Sequence, residues 1–294
     1  MSTLTDSDVR YEVPSTVEET RSLLADSPPG TKIVAGGQSL MLLLRQGLLN
    51  PELLIDISDV PAYNTISIAA DRVTIGATTT YTQLESHEVS SMFQLLGDAV
   101  SVIADSQIRN LGTIGGALGH ADPALDILPP LLCLDAAVQI GGPQGMRTVP
   151  LEEFCEGYMM TDLEGDELIE AITFRRSARS GSVYEKHSNV KGGWSTVGVG
   201  ATVTLSNSGD RIDEASVALA AVSDTPVRAP SVEELLGESA ISKEMIARAA
   251  AAVENDIDPL DDVSGSARYK QRLAQTLTRR ALTGAVERAG GERL

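Results

Sequence analysis

The chain has 294 residues, 42% hydrophobic and 22% charged, which is enough to bury a sizeable core and too apolar for a disordered chain. A net charge of −18 repels phosphate backbones, and 3% aromatic residues leave few stacking platforms, so the composition argues against nucleic-acid binding. No apolar run approaches the roughly 18–20 residues of a transmembrane helix.

In chain order, "MSTLTDSDVR" lacks the basic start and apolar core of a signal peptide, so a cytoplasmic chain is expected, or one carried on another subunit. "VPSTVEETRSLLADSPPG" predicts a helix opened by Ser15 or Thr16, with Glu18 and Glu19 in the favourable first turn. "TKIVAGG" reads as a short buried strand, and "SLMLLLRQGLLNP" as a helix ended by Asn50-Pro51. "LLIDIS" is a strand, and "TISIAADRVTIGATTT" is a strand pair turning at Ala70-Asp71. "YTQLESHEVSSMFQLLGDAVSVIA" reads as helix, followed by a glycine loop "GTIGGALG" and a second helix in "ALDILPPLLCLDA". "AAVQIGGPQGMRTVPL" and "ELIEAITFRR" are strand-like. "ARSGS" at 178–182 is a linker, which places domains at 1–178 and 182–290. Beyond it, successive antiparallel strands run from Val183 to Ser223, then three helical stretches end the chain, an α+β pattern.

The chemistry concentrates in the two double glycines. Strand, Gly36-Gly37, then helix is good anion-binding geometry, because bare glycines let successive N–H groups approach a ligand. Ser39 can cap the helix or donate to a phosphate oxygen, and Lys32 adds charge or is solvated at the strand start. Alone, such a loop is more often a structural turn. The second loop shifts the balance: Thr113 offers a hydroxyl, and Gly115 and Gly116 offer bare amides. Neither loop is GxGxxG or Walker A, so two of them on one diphosphate suit a large dinucleotide held in a non-Rossmann way.

Other catalytic sets are missing: there is no HExxH, no GxSxG and no CxxC. Cys133 and Cys155 read as buried thiols. Of the three histidines, His87 reads as a surface residue, His120 as bonding a loop carbonyl in preference to a ligand, and His187 as lacking a clear partner.

"AGGQSL", followed later by "IRNLGTIGGALGHADPALDILP", resembles the FAD-binding medium subunit of molybdenum hydroxylases, the carbon monoxide dehydrogenase and xanthine dehydrogenase flavoprotein family. "YEKHSNVKGGWSTVGVGATV" and "VSGSARYKQRLAQTLTRRAL" resemble the start and the closing helix of its C-terminal domain. The resemblance implies an α+β, two-subdomain FAD-binding (PCMH-type) domain followed by a smaller three-stranded sheet with helices. It implies that Lys32, Ile33, Val34, Ala35, Gly36, Gly37, Gln38, Ser39 and Leu40 wrap the FAD diphosphate and adjoining sugar. Thr113, Ile114, Gly115, Gly116 and Ala117 would form the second wall, and Ile103 would lie over the isoalloxazine. Asp126 falls where a carboxylate contacts the FAD sugar region, or else caps the next helix. Lys186, in Tyr-x-Lys, would reach the cofactor. Relatives often carry Gly-Asp-aromatic where this chain has Gly192-Gly193-Trp194, so a carboxylate is missing there. Trp194 either stacks near the flavin or fills core.

The resemblance further implies an oxidoreductase subunit without a metal site or catalytic acid or base of its own. Electrons would come from a molybdopterin-binding large subunit through [2Fe–2S] clusters of a small subunit, and leave FAD for an external acceptor. The complex would be a dimer of heterotrimers, in the cytoplasm or at the inner face of the membrane. Two other readings stay open on the sequence: a self-contained flavin oxidase of the vanillyl-alcohol-oxidase type, and a non-catalytic nucleotide-binding scaffold.

Overall fold

The computed structural model describes residues 9–175, 181–237 and 240–291. The expectations for the N-terminal stretch to Asp8, for Ala178–Ser180 of the linker, and for Arg176 and Glu238 at element ends lie outside the described residues.

The first unit is a small parallel sheet with its crossovers. Strand β1 (Arg10–Glu12) leads to helix α1 (Val17–Ala25), β2 (Lys32–Val34), α2 (Leu40–Arg45) and β3 (Leu53–Asp56). Sheet order is β1-β3-β2, all parallel. Only the central strand β3 is sandwiched, which explains its unbroken apolar run. Strand β2 sits at an edge, and only Val34 of its residues is buried. Thr16 caps α1 by accepting from the Glu19 N–H at 3.1 Å, while Glu19 reaches back to the Ser15 N–H at 2.7 Å. Helix α2 stops at Arg45, short of Asn50-Pro51, because Gly47 takes a left-handed φ of +68° and breaks the helical path.

The second unit is a five-stranded antiparallel sheet faced by helices. In chain order it runs β4 (Ile66–Ile68), β5 (Arg72–Gly76), α3 (Tyr81–Ser86), α4 (Glu88–Met92), α5 (Gln94–Val102), α6 (Ser106–Leu111), α7 (Ile114–His120) and α8 (Leu128–Cys133). It continues with β6 (Ala137–Gly142), β7 (Gly145–Pro150), α9 (Leu151–Phe154), the short pair β8 (Cys155–Gly157) and β9 (Met160–Thr161), and β10 (Leu168–Arg175). Sheet order is β4-β5-β10-β6-β7. The single helix expected over 81–104 is three helices. His87 and Phe93 leave helical geometry, and the His87 ring accepts the Val89 N–H at 3.2 Å as a cap for α4. His87 is thus a partly buried cap, not a free surface side chain. Both cysteines are buried and free; burial pushes the Cys133 thiol up to about 12 and the Cys155 thiol up to about 11.

The third unit begins at β11 (Gly181–His187) and adds β12 (Val197–Leu205), β13 (Ile212–Ala220) and a two-residue β14 (Val227–Arg228). Three long antiparallel strands are there as expected, with β14 extending the sheet by a short fourth. Helices α10 (Pro230–Leu236), α11 (Lys243–Ala252) and α12 (Ala267–Arg288) follow. Helix α12 packs across β11 and β12 through Ala274, Leu277, Ala281, Leu282 and Ala285, an i, i+3, i+4 stripe that closes a separate core.

Ionic nodes join the units. Arg21 of α1 makes a two-pronged bond to Glu170 of β10, at 2.8 and 2.9 Å, fixing the first unit to the second. Arg288 of α12 reaches Asp98 of α5 at 2.5 Å, fixing the third to the second.

Candidate functional site

A cleft of about 1420 Å³ opens where the three units meet, larger than the roughly 300–1000 Å³ typical of sites for drug-sized molecules. Its walls come from the β2–α2 loop, the corner from Ser101 to Arg109, helix α7, the segment 159–169, and Lys186 with the loop 188–194. Of the residues expected to hold a ligand, only Val34 and Ile114 do not line it. Val34 is buried under the loop with its carbonyl bonded to the Ile57 N–H, and Ile114 is fully buried in the second unit's core. Both serve as floor, not wall.

The β2–α2 loop has the character of an anion nest. Gly37 takes φ +68°, a left-handed conformation that glycine adopts without strain and that anion nests use. Among the described residues, the N–H groups of Gly36, Gly37, Gln38 and Ser39 have no acceptor. Ser39 makes no capping bond, so its hydroxyl is also unspent. The Gln38 side chain donates back to the Gly36 carbonyl at 3.1 Å, which keeps that oxygen from the open amides.

The second glycine segment is not a loop. It is the start of α7, and its amides are spent. Ile114 N–H donates to Thr79 O, Gly115 N–H to Ala77 O at 2.9 Å, and Gly116 N–H to the Thr113 hydroxyl oxygen at 3.1 Å. The expectation that Gly115 and Gly116 offer bare amides therefore fails. Their absent side chains matter instead. A Cβ on Gly115 would stand 2.5 Å from Ala77 Cβ. A Cβ on Gly36 would stand 1.9 Å from Leu111 O, so the two glycine segments abut along one side of the cleft.

Asp126 carries the opposite wall. It is buried and does not cap α8, whose N-cap is Ile127 without a side-chain bond. Its Oδ2 accepts from the Lys186 ammonium at 2.6 Å, and its Oδ1 from Tyr184 and Ser195, each at 2.7 Å. Lys186 also donates to Val102 O at 3.2 Å. The family resemblance implies separate roles for Asp126 and Lys186; they are one ion pair, each side chain 7% exposed.

Ile103 reaches the cleft from a tight corner. Ala104 beyond it is left-handed at φ +42°, and Arg109 donates to Ile103 O at 3.0 Å. Arg109 was not singled out, although it stands within the quoted "IRNLGTIGG". Among the described residues, His120 has no hydrogen bond to a loop carbonyl. It lies on the cleft wall with its ring centroid 6.5 Å from that of Trp194, and burial lowers its pKa against a weaker opposing pull from Asp122. Trp194 is 57% exposed at the rim, so it is not core. His187 does have a partner, the Tyr269 hydroxyl at 3.1 Å. The segment 159–169 was missed because no motif marks it. Arg147 holds it through Glu167, at 2.7 and 2.8 Å, and through Asp162.

Residues 7–174 match the family described as the FAD binding domain in molybdopterin dehydrogenase, and residues 182–285 match the CO dehydrogenase flavoprotein C-terminal domain. The chain belongs to this flavoprotein family. Subunit alpha of the 6-hydroxypseudooxynicotine dehydrogenase complex of Paenarthrobacter nicotinovorans is 36% identical over 281 residues, 95% of each chain. The carbon monoxide dehydrogenase medium chain of Hydrogenophaga pseudoflava is 35% identical over 95% of this chain and 97% of its own. A solved structure of the Hydrogenophaga enzyme, lacking the Mo-pyranopterin moiety, matches with a TM-score of 0.91 over 95% of this chain and 97% of that one. The flavoprotein subunit thus binds FAD and serves an oxidoreductase as an electron-transfer component; the oxidase and scaffold alternatives are not favoured.

Proposed function

We propose that this flavoprotein subunit holds FAD in the cleft with its diphosphate on the amides of Gly36–Ser39, and that it works between a molybdopterin-binding large subunit and a [2Fe–2S] small subunit. The observation that carries the reading is a run of four cleft-lining residues, Gly36–Ser39, whose amides have no acceptor among the described residues. A doubly charged diphosphate satisfies such a row, and Lys32 at the same wall adds a positive charge. Val34 and Ile114 support that cradle from below.

Thr113 keeps a hydroxyl proton for the ligand while its oxygen caps α7. Asp126 has accepted three bonds, which leaves a carboxylate lone pair for a sugar hydroxyl. Ile103 and Trp194 offer apolar surface to a ring system, and burial lowers the pKa of His120, whose ring centroid lies 6.5 Å from that of Trp194. When bound, FAD supplies the means to accept electrons from the iron–sulfur clusters and release them to an external acceptor. The chain's own task is to seat it and exclude water.

Domains at 1–178 and 182–290, a dimer of heterotrimers and a cytoplasmic site, free or at the inner membrane face, complete the proposal. The two matched family segments, 7–174 and 182–285, support the division, and relatives that are medium chains of carbon monoxide dehydrogenases support the presence of further subunits. The first test is the absorption spectrum of the purified chain, with FAD added if it is colourless, repeated after denaturation. Flavin bands released as free FAD are expected. A chain that takes up no FAD, alone or in its complex, overturns the reading.

A further inference from the structure

Asp126 belongs to the second unit, yet all three of its side-chain donors come from the third: Tyr184 and Lys186 on β11, and Ser195 just before β12. Asp126 and Lys186 line the cleft; Tyr184 and Ser195 stand behind them and do not. The seat of the tyrosine is built. A Cβ on Gly198 of β12 would stand 2.1 Å from the Tyr184 hydroxyl, so that glycine exists to admit it. Lys186 has three N–H donors and spends two, on Asp126 and on Val102 O. The third has no acceptor among the described residues, although the side chain is only 7% exposed.

We propose that Tyr184 and Ser195 are positioning residues for the FAD site, acting through Asp126 to aim the remaining Lys186 N–H at an acceptor on the bound cofactor. The inference rests on the FAD reading above. Two neutral hydroxyls hold Oδ1, so the carboxylate cannot rotate and Oδ2 stays fixed under the ammonium. Without them, Asp126 can swing and Lys186 follows it, because a buried ammonium cannot leave its counter-charge. Since the donors and the acceptor sit on different units, the same node links cofactor binding to docking of the third unit on the second.

The test is a double-mutant cycle on the full chain, read by FAD titration and by the melting temperature without FAD. Tyr184→Phe and Ser195→Ala should each weaken FAD binding, the first about tenfold and the second several-fold. In a Lys186→Met background the same changes should weaken it less than about twofold, because their effect travels through the lysine. Lys186→Gln serves as the background if Lys186→Met does not fold. The visible circular-dichroism bands of bound FAD should change alike in Tyr184→Phe and in the lysine variant. Equal losses in both backgrounds, or lower melting temperatures with unchanged FAD binding, overturn the proposal and leave Tyr184 and Ser195 as packing groups. A wild-type chain that binds no FAD overturns the cofactor reading itself.

Discussion

The two double glycines look alike in sequence and do opposite work. At 36–37 the glycines free the backbone: one is left-handed, and four consecutive cleft-lining residues have amides without acceptors among the described residues. At 115–116 the glycines are swallowed by a helix whose first amides are all bonded within the chain. Both segments also use a missing side chain for close packing, Gly36 against Leu111 O and Gly115 against Ala77, but only the first leaves its amides without acceptors. A glycine pair therefore states that something approaches closely; whether that is a ligand or the protein itself depends on the hydrogen bonds around it.

The sharpest way to break this contrast is to add a methyl at each site. Gly36→Ala puts a Cβ against Leu111 O and must move the nest, so FAD affinity should fall on the order of 100-fold. Gly115→Ala should instead cost about 1–3 kcal/mol of stability in urea denaturation, with a much smaller change in FAD affinity of the folded protein. Equal effects of both on affinity would erase the distinction. A gentler pair uses the hydroxyls. Thr113→Ala removes the cap of α7 and should cost about 1 kcal/mol of stability. Ser39→Ala removes no cap, so it should change stability by less than about 0.5 kcal/mol while FAD binding weakens several-fold.

The smallest effect tests the cleft's third wall. Loop 188–194 leans on the turn at 262–265, where Asn189 donates to Ser264 O at 3.2 Å. Burial pushes the Asp262 carboxyl up, but bonds from Lys270 and Ser264 outweigh it and hold it at about 2. A depressed carboxylate stabilises the fold above its unfolded value and loses that contribution as pH falls through the folded one. Melting temperature should therefore decline between about pH 4 and pH 2, and Asp262→Asn should flatten that decline slightly. An unchanged slope in Asp262→Asn would assign the acid sensitivity elsewhere.

Much of this was legible along the chain. The helix start at Ser15 or Thr16, the strand pair around Ala70-Asp71 and the three long strands of the third unit follow from local chemistry. Helix α7 was not, because glycine is a poor helix former and only the tertiary approach to Ala77 reveals why it is used. The breaks at His87 and Phe93 carry no glycine or proline to announce them. Candidate residues at 32–40 and 113–117 could be picked out because a short motif contains them. The Asp126–Lys186 pair, 60 residues apart, could not, since nothing local couples the two positions. The segment 159–169 is placed by Arg147, whose partners have no sequence pattern.

The walls of the cleft are drawn from residues 24 to 194, which has a consequence for how the protein comes into being. During synthesis the amide nest emerges early, but its facing wall waits for β11 and the loop after it. With FAD seated in this cleft as proposed, firm capture waits until the third unit has docked, and loading then reports on correct assembly. Bound FAD adds stability that grows with the logarithm of its free concentration over its dissociation constant. A chain that failed to dock its last unit would gain none of that protection and would be the form open to proteases.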